Sequence, residues 1–194
     1  MRIIGGTARG RRLQTPAKSA ARSPGKATIR PTADRAREAL FNIIGREIEN
    51  ATVLDLFAGT GALGLEALSR SARLAVFVDS SSESLRIIDK NAEICGFSDR
   101  AVVMRRDLSK GLYFLRKQFP EPFSIIFIDP PYRKGLAEKM VQEIAEEKFL
   151  SPDGLLVVEE NAFTKMVSQV QGIELVDQRR YGDTGFWFYR RDKP

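Results

Sequence analysis

One stretch constrains this chain more than any other: Val53-Leu54-Asp55-Leu56-Phe57 running into Ala58-Gly59-Thr60-Gly61-Ala62-Leu63-Gly64. Four of the first five residues are apolar, the pattern of a central parallel strand covered on both faces. Gly59 and Gly61 fall where the chain must turn sharply and where a ligand would lie against bare backbone. The helix that follows turns Leu63, Leu65 and Leu68 inward, and Gly64 lets it sit close to the sheet. In open α/β sheets, the crevice between such a strand end and such a helix start is where ligands bind.

Gly59-x-Gly61-x-x-Gly64 fits the dinucleotide spacing, and a purely structural turn would fit it as well. Asp55 shifts the balance. A carboxylate aimed at the crevice repels a pyrophosphate, whereas a methionine moiety can use it directly or through water. Asp55-x-Phe57-x-Gly59-x-Gly61 resembles the first motif of S-adenosylmethionine-dependent methyltransferases.

The alternation of strand and helix continues along the chain. Leu74 to Val78 predicts a second strand ending at Asp79, an acid that suits a pair of ribose hydroxyls. Residues 81–96 predict a helix with Leu85, Ile88, Ala92 and Cys95 on one face and Gly96 as its stop. A third strand, Ala101 to Met104, leads to Asp107, placed either for an adenine amino group or as an N-cap. Phe123 to Ile128 is a fourth strand, and it ends in Asp129-Pro130-Pro131-Tyr132. The two prolines fix φ and leave their carbonyls free. Asp129 and the Pro130 carbonyl can accept both hydrogens of a base amino group while Tyr132 stacks on the ring. A structural Pro-rich turn is the competing reading. A helix over 136–149 with Leu136, Met140 and Ile144 inward follows. Pro152-Asp153-Gly154 then reads as a turn before a fifth strand, Leu155 to Val158. Leu175-Val176 and Phe186 to Tyr189, separated by Gly182-Asp183-Thr184-Gly185, predict a closing hairpin whose aromatics serve core and sheet-edge packing.

The 194 residues allow one α/β core with a short appendage. The chain has no histidine, which excludes a His-containing triad, the common zinc sites and the usual base at neutral pH. A single cysteine, Cys95, permits no internal disulfide and fits a reducing cytosol, and no apolar run reaches membrane-spanning length. Residues 1–31 carry eight basic side chains and no acid, whereas residues 32–194 hold 23 basic and 25 acidic ones. That footprint suits a phosphate backbone. A transit peptide and a solvated tail are the other readings. Ile3-Ile4 and Leu13 are short strand candidates that could anchor an RNA-binding hairpin. A helix is expected from Arg30-Pro31-Thr32, with Thr32 as N-cap and Asp34 in its first turn. Ala36, Leu40, Ile44 and Ile48, with Ile43 adjacent, form its apolar face. Arg35, Arg37 and Glu38 fall on its other sides, where they are either a solvated face or, for Arg30, Thr32 and Arg35, the rim of the site.

Taken together these motifs resemble the bacterial RsmD-type methyltransferases. The resemblance starts at Arg2-Ile3-Ile4-Gly5-Gly6 and Arg9-Gly10-Arg11, which argues against a cleaved leader. It continues through Arg30-Pro31-Thr32, Asp34-Arg35, Arg37-Glu38 and Leu40-Phe41-Asn42. It includes the glycine turn, Asp79, Asp107 and Asp129 to Tyr132, and closes at Tyr181-Gly182, Phe186 and Tyr189. Ala17 to Lys26 is a less typical spacer. The resemblance implies a Rossmann-like α/β fold, with a mostly parallel seven-stranded sheet closed by an antiparallel C-terminal hairpin. Residues 1–31 would be a basic N-terminal extension and 32–194 the methyltransferase domain. It implies methylation of a guanine 2-amino group in 16S rRNA of the small ribosomal subunit or an assembly intermediate, by a cytoplasmic monomer without metal. S-adenosylmethionine would be the donor, leaving S-adenosylhomocysteine, held by Asp55, Phe57, Gly59, Gly61, Asp79, Asp107, Thr32 and Arg35. Asp129, Pro130, Pro131 and Tyr132 would be catalytic, and Arg9, Arg11, Arg12 and Arg30 would meet RNA. An adenine amino-methyltransferase, a nucleotide-binding dehydrogenase and a non-catalytic RNA-binding protein remain as alternatives.

Overall fold

The apolar run forms β1 (Thr52–Leu56), where Val53, Leu54 and Leu56 are buried. The computed structural model describes residues 1–16, 31–131 and 135–191, the side chains of residues 31–33 apart. The expectations for Arg30, Tyr132, the Thr32 side chain and the spacer from Ala17 to Lys26 therefore lie outside the described residues. β1 pairs in parallel with β2 (Leu74–Asp79) on one side and β4 (Phe123–Ile128) on the other. β3 (Ala101–Arg105) flanks β2, and β5 (Leu150–Asn161) flanks β4. The order β3-β2-β1-β4-β5 reverses direction between β1 and β4, and a crevice opens at such a switch point.

The sheet has eight strands rather than seven. β7 (Ile173–Tyr181) and β8 (Thr184–Arg191) form the expected hairpin, and a two-residue β6 (Gln169–Val170) adds an edge. β6 folds back through Gln171 and Gly172, both at positive φ, and two residues leave no periodicity to detect. β8 lies between β5 and β7, so Phe186, Trp187, Phe188 and Tyr189 are interior, not edge, residues. Pro152-Asp153-Gly154 lies within β5 instead of before it. The pairing jumps there from Phe123–Leu150 to Ile125–Leu155, so the turn residues form an irregularity in the strand.

α1 (Pro31–Ile44), α2 (Ala62–Ser69) and α3 (Ser82–Cys95) cover one face of the sheet. α4 (Phe114–Gln118) and α5 (Leu136–Glu146) cover the other. α3 starts on the Ser81 hydroxyl and stops at Gly96 in the left-handed region. Thr32 is the second residue of α1, not its N-cap, because Pro31 with its fixed φ takes the first helical position. Ala36, Leu40, Ile44 and Ile48 are buried as their spacing predicts, whereas Ile43 is exposed and Phe41 fills the core in its stead. Gly64 is required by packing: a Cβ there would lie 2.3 Å from the Phe77 ring.

Residues 1–14 are docked on this body. Arg2 bridges Arg12 in an antiparallel pair, and Ile3, Ala8 and Leu13 enter the core shared by α1, α2 and α3. Three of the docking bonds go to side chains of α2. The Glu66 carboxylate accepts the amides of Ile4 (2.7 Å) and Gly5 (2.8 Å), and the Ser69 hydroxyl accepts the Ala8 amide.

Candidate active site

The turn after β1 is held in an unusual backbone conformation. Phe57 sits at φ 61°, followed by Gly59 at 56° and Gly61 at 75°. A bulky residue in the left-handed region is rare and persists only where its surroundings enforce it. Here the Ala58 amide donates to the Val78 carbonyl and the Gly59 amide to Asp79 Oδ2 (2.9 Å). Asp79 Oδ1 accepts the Ser81 amide, so this one carboxylate ties the glycine turn to the start of α3. Asp55 Oδ2 accepts the Gly64 amide at 2.9 Å, fixing the first turn of α2 over the strand end.

A crevice of about 280 Å³ opens at the switch point, room for several chemical groups rather than one water. Asp55, Phe57 and Gly59 meet Asp129 there, as the sequence anticipated, and Glu159 and Arg37 join them. Glu159 stands beside Asp129 because β4 and β5 are in register at Ile128–Val158, one position earlier. Three carboxyls in one crevice oppose each other's ionisation. Burial pushes Asp55 up to about 8 against the pull of the Gly64 amide, with repulsion from Asp129 and Asp79 adding to it. Asp129 is exposed at the crevice, yet the protein packed around its carboxyl withdraws part of its hydration. That desolvation, with the nearby Glu160 charge, pushes it up to about 6. Glu159 rises to about 8 through burial and Asp129, against the pull of Arg37.

Arg37 is only 6% exposed and does not decorate a solvated face. Its Nη2 donates to the Arg2 carbonyl at 2.7 Å and to Asp34 Oδ1 at 3.1 Å, while its buried Nε has no hydrogen-bond partner. An unpaired buried donor costs about 1–3 kcal/mol. One arginine among three carboxyls fits a ligand that carries both an anionic group and positive charge.

Other expected residues are placed elsewhere. Arg35 is exposed and lines a separate cleft with Arg2 and Arg9, whereas Arg37 is the α1 arginine at the crevice. Asp107 caps the 3-10 turn Leu108–Lys110, its Oδ1 accepting both the amide and the hydroxyl of Ser109, which hold its carboxyl below the usual range. Arg9, Arg11 and Arg12 are exposed on the docked hairpin. Asn91 was not singled out in the sequence, although a polar residue between Ile88 and Ala92 on an apolar helix face is a signal. Fully buried, it donates to the Thr60 and Gln14 carbonyls and accepts the Gln14 amide, joining glycine turn to hairpin.

This sheet order, with its glycine turn and acidic strand ends, is the Rossmann-like fold of the S-adenosylmethionine-dependent methyltransferases. SMU.776, solved with SAH, shares it at 17% identity and a TM-score of 0.63, over 76% of this chain and 48% of that one. Within that class, the chain belongs to the family described as Conserved hypothetical protein 95, whose model matches residues 1–190. It is 35% identical over 192 residues to the ribosomal RNA small subunit methyltransferase D of Escherichia coli (strain K12), covering 99% of this chain and 90% of that protein. The solved structure of yhhF from Escherichia coli superposes with a TM-score of 0.80 at 32% identity, over 100% of this chain and 99% of that one. The expected RsmD-type membership is met.

Proposed function

We propose that this chain transfers the methyl group of S-adenosylmethionine to the exocyclic 2-amino group of a guanine in small-subunit ribosomal RNA. The observation that carries the reading is the meeting of Asp129 with Asp55 and the glycine turn in one crevice at the switch point. The relative named ribosomal RNA small subunit methyltransferase D supports the substrate class. In this reading Asp55, Phe57, Gly59 and Gly61 cradle the methionyl end of the cofactor, and Asp79 serves its ribose. Asp107 reaches the adenine through Oδ2, since Oδ1 is engaged with Ser109. Thr32 keeps its proposed place at the cofactor.

The bound sulfonium supplies an electrophilic methyl group. The chain supplies alignment. A guanine amine is a poor nucleophile because its lone pair is delocalised into the ring. Asp129 and the Pro130 carbonyl accept hydrogen bonds from its two N–H groups, which draws the nitrogen toward tetrahedral geometry and frees the lone pair. Pro130 and Pro131 hold that carbonyl in place. Tyr132 offers a stacking surface to a base withdrawn from its neighbours. The test is incubation with radiolabelled donor and ribosomal particles from an unmodified strain, followed by nucleoside analysis. Label in 2-methylguanosine is expected; label in an adenosine, or RNA binding with no label, would replace this reading with one of its alternatives.

The hairpin supplies the RNA contact, with Arg9, Arg11 and Arg12 facing solvent while Ile3, Ala8 and Leu13 anchor it. Arg30 is proposed to extend that contact. Replacing Arg9, Arg11 and Arg12 with Gln is expected to weaken RNA binding and flatten its logarithmic salt dependence by about 2–3, near the value for three phosphate contacts. Fluorescence anisotropy at several salt concentrations measures this. An unchanged slope would remove the hairpin from the interface.

A further inference from the structure

We infer that Arg37 is the residue whose guanidinium anchors the carboxylate at the methionyl end of the cofactor. The inference rests on the proposed cofactor and adds a role for Arg37 that the motif reading did not assign. Three observations converge on it. First, Arg37 lines the crevice, and its guanidinium is not saturated, since its buried Nε has no hydrogen-bond partner. Second, its other contacts are fixed: the Arg2 carbonyl and Asp34 hold Nη2 and so hold the guanidinium plane. Third, α2 opens onto the same crevice with no side-chain bond from its N-cap Gly61, and Asp55 takes only the Gly64 amide, so the positive end of that helix still favours an anion.

The remaining wall decides what kind of anion fits. Asp55, Asp129 and Glu159 surround the same space. A phosphate group would meet three carboxyls for one arginine. An amino-acid end carries its own ammonium, and in this cofactor a sulfonium as well. Those two positive charges answer the carboxyls while a single carboxylate answers Arg37. The arginine also joins two parts of the molecule, because the carbonyl that steadies it belongs to Arg2 of the docked hairpin. Cofactor binding and hairpin docking are thereby coupled through one side chain.

The test compares S-adenosylmethionine with its decarboxylated analogue, S-adenosyl-3-methylthiopropylamine, by calorimetric titration of the full chain. Wild type is expected to bind the carboxylate-bearing ligand about ten-fold or more tightly, the scale of a charge-assisted hydrogen bond. In Arg37→Met that preference is expected to fall to about one. The ratio is taken within each variant, so a general loosening of the fold, which weakens both ligands alike, does not imitate it. Arg37→Lys retains charge without the guanidinium and is expected to give an intermediate ratio; it decides the matter if the Met variant fails to fold. A wild-type ratio near one, or an undiminished ratio in the variants, overturns the assignment while leaving the proposed reaction standing. Failure of wild type to bind either ligand would sink that reaction as well.

Discussion

Asp129→Ala is expected to lower methyl transfer about a thousand-fold while leaving S-adenosylmethionine affinity within about three-fold of wild type. Asp129 is the first residue past β4, in the crevice but outside the glycine turn that β1 and α2 build. Its removal takes away one of two acceptors on the target amine and spares the bonds that shape the turn, Gly64 to Asp55 and Gly59 to Asp79. The sign of the pH dependence follows from the same crowding. Asp129 is the stronger acceptor when ionised, and its carboxyl is pushed up to about 6, so wild-type turnover should fall as the pH drops through that value. Asp129→Asn retains a neutral acceptor, so it should keep residual activity and lose the acidic limb. Single-turnover rates from pH 5 to 8, with a parallel cofactor titration, measure both effects. Equal loss of turnover and of cofactor affinity in Asp129→Ala would make this a cofactor-binding residue instead.

The parts of this site that can be read in the sequence are those whose chemistry is local. A strand buried on both faces leaves a continuous apolar run, so β1 and β4 and the acids at their ends are visible at once. Asp129-Pro130-Pro131 declares itself because proline has few uses at a strand end. Arg37 was hidden by the breadth of the helix face. The stripe of Ala36, Leu40, Ile44 and Ile48 marks only its centre, whereas Arg37 lies one turn before Phe41 on the flank of that face. An arginine can bury its stem there while its head reaches a polar partner, a partner that depends on the hairpin folding back across α1. Arg35 lies about 200° around the helix from Arg37 and so meets a different cleft. Glu159 was equally illegible, since its nearness to Asp129 comes from the register of β4 and β5, which the sequence does not print.

Glu66→Ala should detach the N-terminal hairpin, lowering stability by about 3 kcal/mol or more and the melting temperature by about 10 °C. Glu66 is fully buried on α2, and its two oxygens accept the Ile4 amide, the Gly5 amide and Arg70 Nε, all between 2.7 and 2.8 Å. Alanine strands both amides. Arg70, itself partly exposed, can turn to water, so the amides bear most of the cost. Glu66→Gln is no rescue, because the side-chain amide places a donor where donors already converge. The damage should be regional. Amides that close the hairpin, those of Ile3, Gly10 and Leu13, should lose hydrogen-exchange protection while β1 and β4 keep theirs. Function follows from what the hairpin carries: Arg9, Arg11 and Arg12 for RNA, and the Arg2 carbonyl that steadies Arg37 at the crevice. RNA affinity and cofactor affinity should therefore weaken together in this one variant, although Glu66 lines neither surface. A melting temperature within about 3 °C of wild type, with the hairpin amides still protected, would show that the apolar anchors Ile3, Ala8 and Leu13 suffice to dock it.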